Sequence, residues 1–269
     1  MTENQWKCFV SYKDELKKII CESKSLPFYN ELVSLQKELI KKNEDSRKKY
    51  NLENPLVYNL SYEEIKKTDE IKVIVVCDNP GFEEQLSKNQ KYLIGQSGRI
   101  AESYFKKNSE FEIDFRKNVL ITNKIPIHTG KTADLKILKK MASSELKDYI
   151  ENLQIKMAEI TALLHQNLVK YQDNEKSKPE LWLVGYSELK NKGVFELYRE
   201  KFKSFYQGEN LKYWDYVFVY QHFSMNRFAI DLKEFEKEKK LSDSDNLKSL
   251  LKELGHLHRD KIFYDIVGD

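Results

Sequence analysis

Three short segments hold the residue types that do chemistry: Cys77-Asp78-Asn79-Pro80-Gly81, Ile121-Thr122-Asn123 and His222-Phe223-Ser224-Met225-Asn226. Together they offer a carboxylate, three side-chain amides and an imidazole. A carboxylate or an imidazole can move a proton, and an amide presents an acceptor and a donor side by side to a planar polar ligand. Each segment follows a short apolar run, Ile71–Val76, Asn118–Leu120 and Tyr216–Tyr220. Each is therefore expected where a strand gives way to a loop, and in an open α/β sheet ligands gather beyond the carboxyl ends of strands. Residue type alone leaves the reaction open.

The elements that must position these segments are legible in the periodicity. Residues 71–77 are β-branched and continuous, as in strands buried on both faces of a parallel sheet. Val119–Thr122, Leu181–Val184 (ending at Gly185) and Val217–Tyr220 are the other expected strands. Leu16, Ile19, Ile20, Leu32, Leu35, Leu39 and Ile40 recur at helical spacing with Pro27 breaking the run, so the first 55 residues form a helical extension. Lys41 to Lys49 is charged and reads as a surface turn or helix end. A helix is expected after Ser97 as N-cap, with Ile100, Ala101, Tyr104 and Phe105 on one face. A long one is expected from Ser143 to Tyr171, with Leu146, Ile150, Leu153, Met157, Ile160 and Leu164 inward. The tail from Ile230 to Phe263 reads as helical with a turn at Ser242–Asp245. Strands alternating with helices predict a three-layer α/β/α sandwich around a mostly parallel four-stranded sheet, in one domain spanning 1–269 with its core at 71–228.

Composition narrows the classes. Three cysteines (Cys8, Cys21, Cys77) without C-x-x-C spacing exclude a disulfide framework and a four-cysteine metal site. The formal charge of +3 neither demands nor forbids a phosphate-bearing partner. No apolar run approaches the ~20 residues of a membrane span, and Met1-Thr2-Glu3-Asn4-Gln5 begins no signal peptide, so a cytoplasmic protein is expected. Gly130-Lys131-Thr132 lacks the earlier glycine of a phosphate-binding P-loop, Ile125 standing in its place. No G-x-G-x-x-G occurs. His256 and His258 read as a solvated helix end, and His165 as a structural histidine inside a helix.

The segments and their order resemble the uracil-DNA glycosylase superfamily. The likeness covers Asp78 to Glu84, Lys91-Tyr92-Leu93-Ile94-Gly95-Gln96-Ser97-Gly98, Val119 to Asn123, Leu181 to Gly185 and His222 to Asn226. It spans roughly residues 71–228, and the order is similar to the branch that carries an iron–sulfur cluster. The cluster's cysteines are missing here, Ile127 standing near one of their places, so no metal and no cofactor is expected. Cys77 stands where a glycine is usual and Phe223 where a proline is usual.

The resemblance implies hydrolysis of the N-glycosidic bond of uracil in a nucleotide flipped out of DNA. Asn79 would hold the hydrolytic water, with Asp78 as an alternative base or as an electrostatic partner for the sugar cation. His222 would donate to uracil O2. Asn123 would accept from N3–H and donate to O4, a pattern cytosine reverses. Tyr92 would stack beneath the base. Pro80, Gly81 and Phe82 would border it, Gly81 standing where uracil-strict members carry a tyrosine against thymine's methyl. Selectivity would then fall to Phe82 or Glu83, or be absent. Ser97, Gly98, Lys124, Lys131, Ser224 and Asn226 would face DNA phosphates, Met225 would wedge into the stack and Arg227 would clamp a phosphate. The implied partner is uracil-containing DNA, single- or double-stranded, the implied protein a monomer with no membrane association. Three alternatives remain: a member that binds DNA or a partner without excision, an enzyme on a free nucleoside, and a glycosylase for hypoxanthine, xanthine or mismatched thymine.

Overall fold

A computed structural model describes residues 1–42, 50–239 and 247–264. In chain order its main elements are α1 (Glu3–Ser23), α2 (Tyr29–Lys42), β1 (Val73–Cys77), α3 (Phe82–Gln85), α4 (Gln96–Lys107) and β2 (Val119–Asn123). There follow α5 (Thr132–Met141), α6 (Ser144–Lys170), β3 (Glu180–Val184), α7 (Glu196–Ser204), β4 (Val217–Tyr220), α8 (Arg227–Glu238) and α9 (Leu247–Phe263).

Local signals set several boundaries. Thr2 caps α1 through a reciprocal box with Gln5, and Phe9, Tyr12, Leu16 and Ile20 form its buried stripe. Ser143 caps α6 by accepting from the Leu146 N–H, and the six apolar residues expected to face inward are all buried. The other expected cap is corrected. Gly95 is the N-cap of α4, and Ser97 lies inside its first turn. Gly98, in that same turn, packs its backbone against Leu93, where a Cβ would come within 1.6 Å of the carbonyl oxygen, so the first turn lies directly on the preceding chain. The expected turn at Ser242–Asp245 and most of the 41–49 stretch lie outside the described residues.

The sheet is entirely parallel, in the order β2-β1-β3-β4. Cys77 pairs with Asn123, and Val76 with both Thr122 and Leu183. Both faces are covered, giving three layers. On one face Ile74, Val76, Leu120, Leu181, Leu183, Val217 and Val219 pack with α1, α2, α5, α6 and α7. On the other, Val73, Val75, Val119, Ile121, Trp182, Val184 and Phe218 pack with α4, α8 and α9. This two-sided burial is why β1 reads as an unbroken apolar run; each such side chain contributes about 1.5–3 kcal/mol relative to exposure. Among the described residues, no helix is long and apolar enough to cross a membrane.

β1 and β2 are joined on one side of β1, whereas β3 and β4 lie on its other side. The chain's direction across the sheet thus reverses between β1 and β3, and the crevice that such a reversal opens lies beyond their carboxyl ends.

Candidate functional site

That crevice is a cleft of about 850 Å³. Cys77, Asp78, Asn79 and Gly81 reach it from the end of β1, Asn123 from β2, Gly185 to Glu188 from β3, and Gln221 and His222 from β4. Phe82, Glu83 and Glu84 of α3, the first turn of α4, and Thr129 to Thr132 complete its sides. Three segments separated by up to 145 positions therefore meet on one surface.

The floor is built around an ion pair. Lys124 follows the last residue of β2 and is wholly buried. Its Nζ lies 2.6 Å from Asp78 Oδ1 and donates to the Val184 carbonyl at 2.5 Å. The Thr132 hydroxyl donates to Asp78 Oδ2 at 3.2 Å. Lys124 is thus corrected from a phosphate contact to a core residue: its head is consumed by Asp78 and Val184, and none of it lines the cleft.

The loop after β1 is held from below. Asn79 donates through Nδ2 to Thr129 Oγ1 at 2.8 Å, which leaves the amide oxygen as the acceptor for a ligand. The Pro80 carbonyl, which can only accept, takes a hydrogen bond from His128 Nδ1 at 2.9 Å. The His128 proton is therefore on Nδ1, and Nε2 accepts from the Tyr50 hydroxyl at 2.7 Å. Burial pushes this imidazole down to about 4, so it stays neutral. The Tyr50 ring in turn packs on Phe82, 4.7 Å between centroids. Pro80 itself is buried and outside the cleft walls, its carbonyl serving His128 instead of a ligand.

Glu84 ties the same loop to the chain before α4. Its two oxygens accept from the Gly81 and Leu93 N–H groups. Burial pushes its carboxyl up to about 7 against the pull of those bonds.

On the opposite side the Ser224 N–H donates to His222 Nδ1 at 3.0 Å, so the neutral ring carries its proton on Nε2. Burial holds this imidazole below its ordinary value; Asp78 draws it back up and Lys124 presses it down. Phe223 anchors the loop where a proline would have stiffened it: the ring is fully buried against Phe115 and Phe228. Asn123 is 1% exposed and its Nδ2 has no hydrogen-bond partner. An unsatisfied buried donor costs on the order of 1–3 kcal/mol, and this one belongs to a residue of the cleft wall.

At the rim, Met225 is 79% exposed, and it and Asn226 both adopt left-handed backbone (φ 52° and 58°). Two successive side-chain-bearing residues in that region store strain of the kind found at binding loops. Lys131, Met225 and Arg227 line the mouth together with Ser97 and Ser224, whereas Asn226 is not part of the lining. Gly98 is a packing residue for the steric reason given above.

Tyr92 is a second correction. It is 1% exposed, its hydroxyl donates to the Val57 carbonyl at 2.6 Å, and its ring packs edge-on to Tyr62. The aromatic rings that reach the cleft are Phe82 and Tyr186. Tyr186 was not foreseen, nor was the rest of the β3 turn, because the sequence there carries no acid–base pattern. His258, expected in solvent, is buried with its ring 4.6 Å from that of Tyr186. Amphipathic burial of α9 turns it inward.

Among the described residues, no group of three or more His, Cys, Asp or Glu side chains is arranged to hold a metal ion. Whole-chain comparisons return no match to any family model, curated protein or solved structure. The likeness to the uracil-DNA glycosylases therefore rests on the short motifs.

Proposed function

We propose that this cleft hydrolyses the N-glycosidic bond of uracil in DNA. One observation carries the reading. Asn79, Asn123 and His222 stand at the ends of β1, β2 and β4 around a single cleft, and Asn123 keeps a buried amide donor without a partner.

The chemistry follows from the atoms left unused. A flipped uracil would satisfy Asn123 Nδ2 with O4, while the amide oxygen accepts from N3–H. Cytosine carries an amino group where O4 would be and lacks the N3–H, so a fixed amide rejects it. His222, neutral with its proton on Nε2, donates to O2 as negative charge builds on the departing base. A water bound to the Asn79 oxygen attacks C1′ as the bond breaks. Both Asp78 oxygens are already engaged, which favours Asn79 as the holder of that water and leaves Asp78 as a charge facing the sugar cation. Phe82 and Tyr186 supply the apolar sides that Tyr92 does not.

A second reading keeps the hydrolysis and widens the lesion. A Cβ built on Gly81 meets nothing within 4 Å, so this side of the cleft has room for a substituent at pyrimidine C5. The test is incubation of the purified chain with end-labelled oligonucleotides carrying one uracil, hypoxanthine or mismatched thymine, followed by alkali. Cutting at uracil supports the first reading, and cutting at thymine as well supports the second. No cut at any base, with the oligonucleotides still bound, would leave a DNA-binding protein without excision.

A further inference from the structure

Lys124 is completely buried, yet it takes no part in the cleft wall, while Asp78 lines the cleft at 7% exposure. The ammonium meets Asp78 Oδ1, the Val184 carbonyl and, 5.0 Å from its centroid, the face of the Phe195 ring. Two of its donors are taken by oxygen, and the ammonium also lies over an aromatic face. The pair is thus a fixed dipole, carboxylate toward the cleft and ammonium toward the core.

Stability alone does not account for such a pair. Removing two ions from water costs several kcal/mol each, and well-packed apolar residues of similar volume often do as well or better. The fold is moreover shaped around it. Gly185 adopts φ +95°, and a Cβ there would lie 2.4 Å from Asp78 Oδ1. The β3 turn has therefore given up a side chain to let the carboxylate sit where it does. A paired, buried ammonium and a left-handed glycine converge on one oxygen atom at the edge of a cleft.

We infer that Lys124 is a positioning residue of this site: it fixes the Asp78 carboxylate in place at the cleft floor, directed at the sugar on which positive charge develops as the base departs. The inference rests on the glycosylase reading. Lys124 itself makes and breaks no bond; its effect is the orientation of a charge prepared before the reaction. Around the carboxylate, the other titratable groups are His222 after β4 and the Cys77 thiol of β1, while α5 contributes the Thr132 hydroxyl and the β3 turn the Gly185 backbone.

The test compares the full chain with K124M, D78N and the double variant D78N/K124M, each checked by thermal melting. Two quantities are read between about pH 3 and pH 9: the single-turnover rate of uracil excision, and the carboxyl-carbon NMR titration of Asp78, assigned by its loss in D78N. In K124M the rate at neutral pH is expected to fall at least about tenfold with oligonucleotide affinity unchanged, the acid limb moving up by about one pH unit. The NMR midpoint should rise with it, because a buried carboxylate without its counter-ion takes up a proton more readily. In the D78N background, adding K124M should cost nothing further.

An unchanged midpoint and pH profile in K124M would overturn the inference. So would a loss of DNA affinity with an unchanged rate, or a further loss from K124M in the D78N background. If K124M melts below the assay temperature, the equality of D78N and the double variant carries the test. A wild type that excises no base overturns the glycosylase reading instead; a midpoint that still rises in K124M then supports the fixed carboxylate on its own.

Discussion

The floor and the rim of the cleft are built on opposite principles. At the floor most polar atoms are spoken for: Asp78 by Lys124 and Thr132, Asn79 Nδ2 by Thr129, Pro80 by His128, His222 Nδ1 by the Ser224 N–H. What the proposed reaction uses are the rest: the Asn123 amide, the Asn79 amide oxygen and His222 Nε2. At the rim, Phe82, Lys131, Met225 and Arg227 are exposed, and the chain bends through two left-handed residues. A saturated floor leaves few atoms free to react, and those few are fixed in place. A loose rim can adapt to a long ligand. Under the proposed glycosylase reading, the contrast assigns the reaction to the floor and affinity to the rim.

The largest effect that can break this contrast is expected at the floor. His222→Ala or Asn79→Ala should each lower single-turnover excision by about two to three orders of magnitude, with DNA binding retained in a gel-shift assay. Wild-type rates in both variants would mean that the reacting centre lies elsewhere. A smaller effect concerns how the floor is supported. His128 sits at about 4 against an ordinary 6.5. With a lowered value, the unfolded chain takes up a proton that the folded chain refuses. Its contribution is therefore whole above about pH 6.5 and is lost as pH falls toward 4, on the order of 3 kcal/mol. His165 and His258 are lowered too, to about 3 and about 4, so the difference between wild type and His128→Gln isolates the one ring. Chemical denaturation at pH 7 and pH 4.5 should show a smaller acid loss in the variant; an equal loss would deny His128 its supporting role.

The smallest effects belong to the rim. Met225→Ala and Arg227→Ala should leave stability within about 0.5 kcal/mol of wild type. Arg227→Ala should weaken DNA binding and flatten its logarithmic salt slope by about one. An unfolding of either variant would erase the distinction between rim and floor.

The backbone was more legible than the roles of its side chains. Val217–Tyr220 matches its expected bounds, and 71–77 shortens only to Val73–Cys77, because a strand buried on both faces has to be apolar throughout. The convergence of Asp78, Asn79, Asn123 and His222 followed from the same fact, since strand ends in a parallel sheet share one edge. Lys124 was misjudged because a lysine reads as solvated until its partner is known, and that partner lies 46 positions earlier. Tyr92 and His258 failed likewise: an aromatic ring or an imidazole carries no mark of which side of a helix or loop the core will claim. The β3 turn went unseen because its contribution is a wall, made of backbone and an aromatic ring, and walls have no signature of residue type.

The ammonium at the end of β2 has a consequence for how the chain assembles. It touches residues contributed by β1 and β3, and it reaches both only because Cys77 pairs with Asn123 and Val76 with Leu183. Slipping β2 by a single position would turn the lysine to the other side of the sheet and strand a charge among valines and aromatic rings. The purely apolar strands have little else to forbid such a slip, since one valine fits much like the next. Lys124 thus works as a key that turns only when three distant stretches of chain are aligned, so that the sheet cannot close without also completing the cleft.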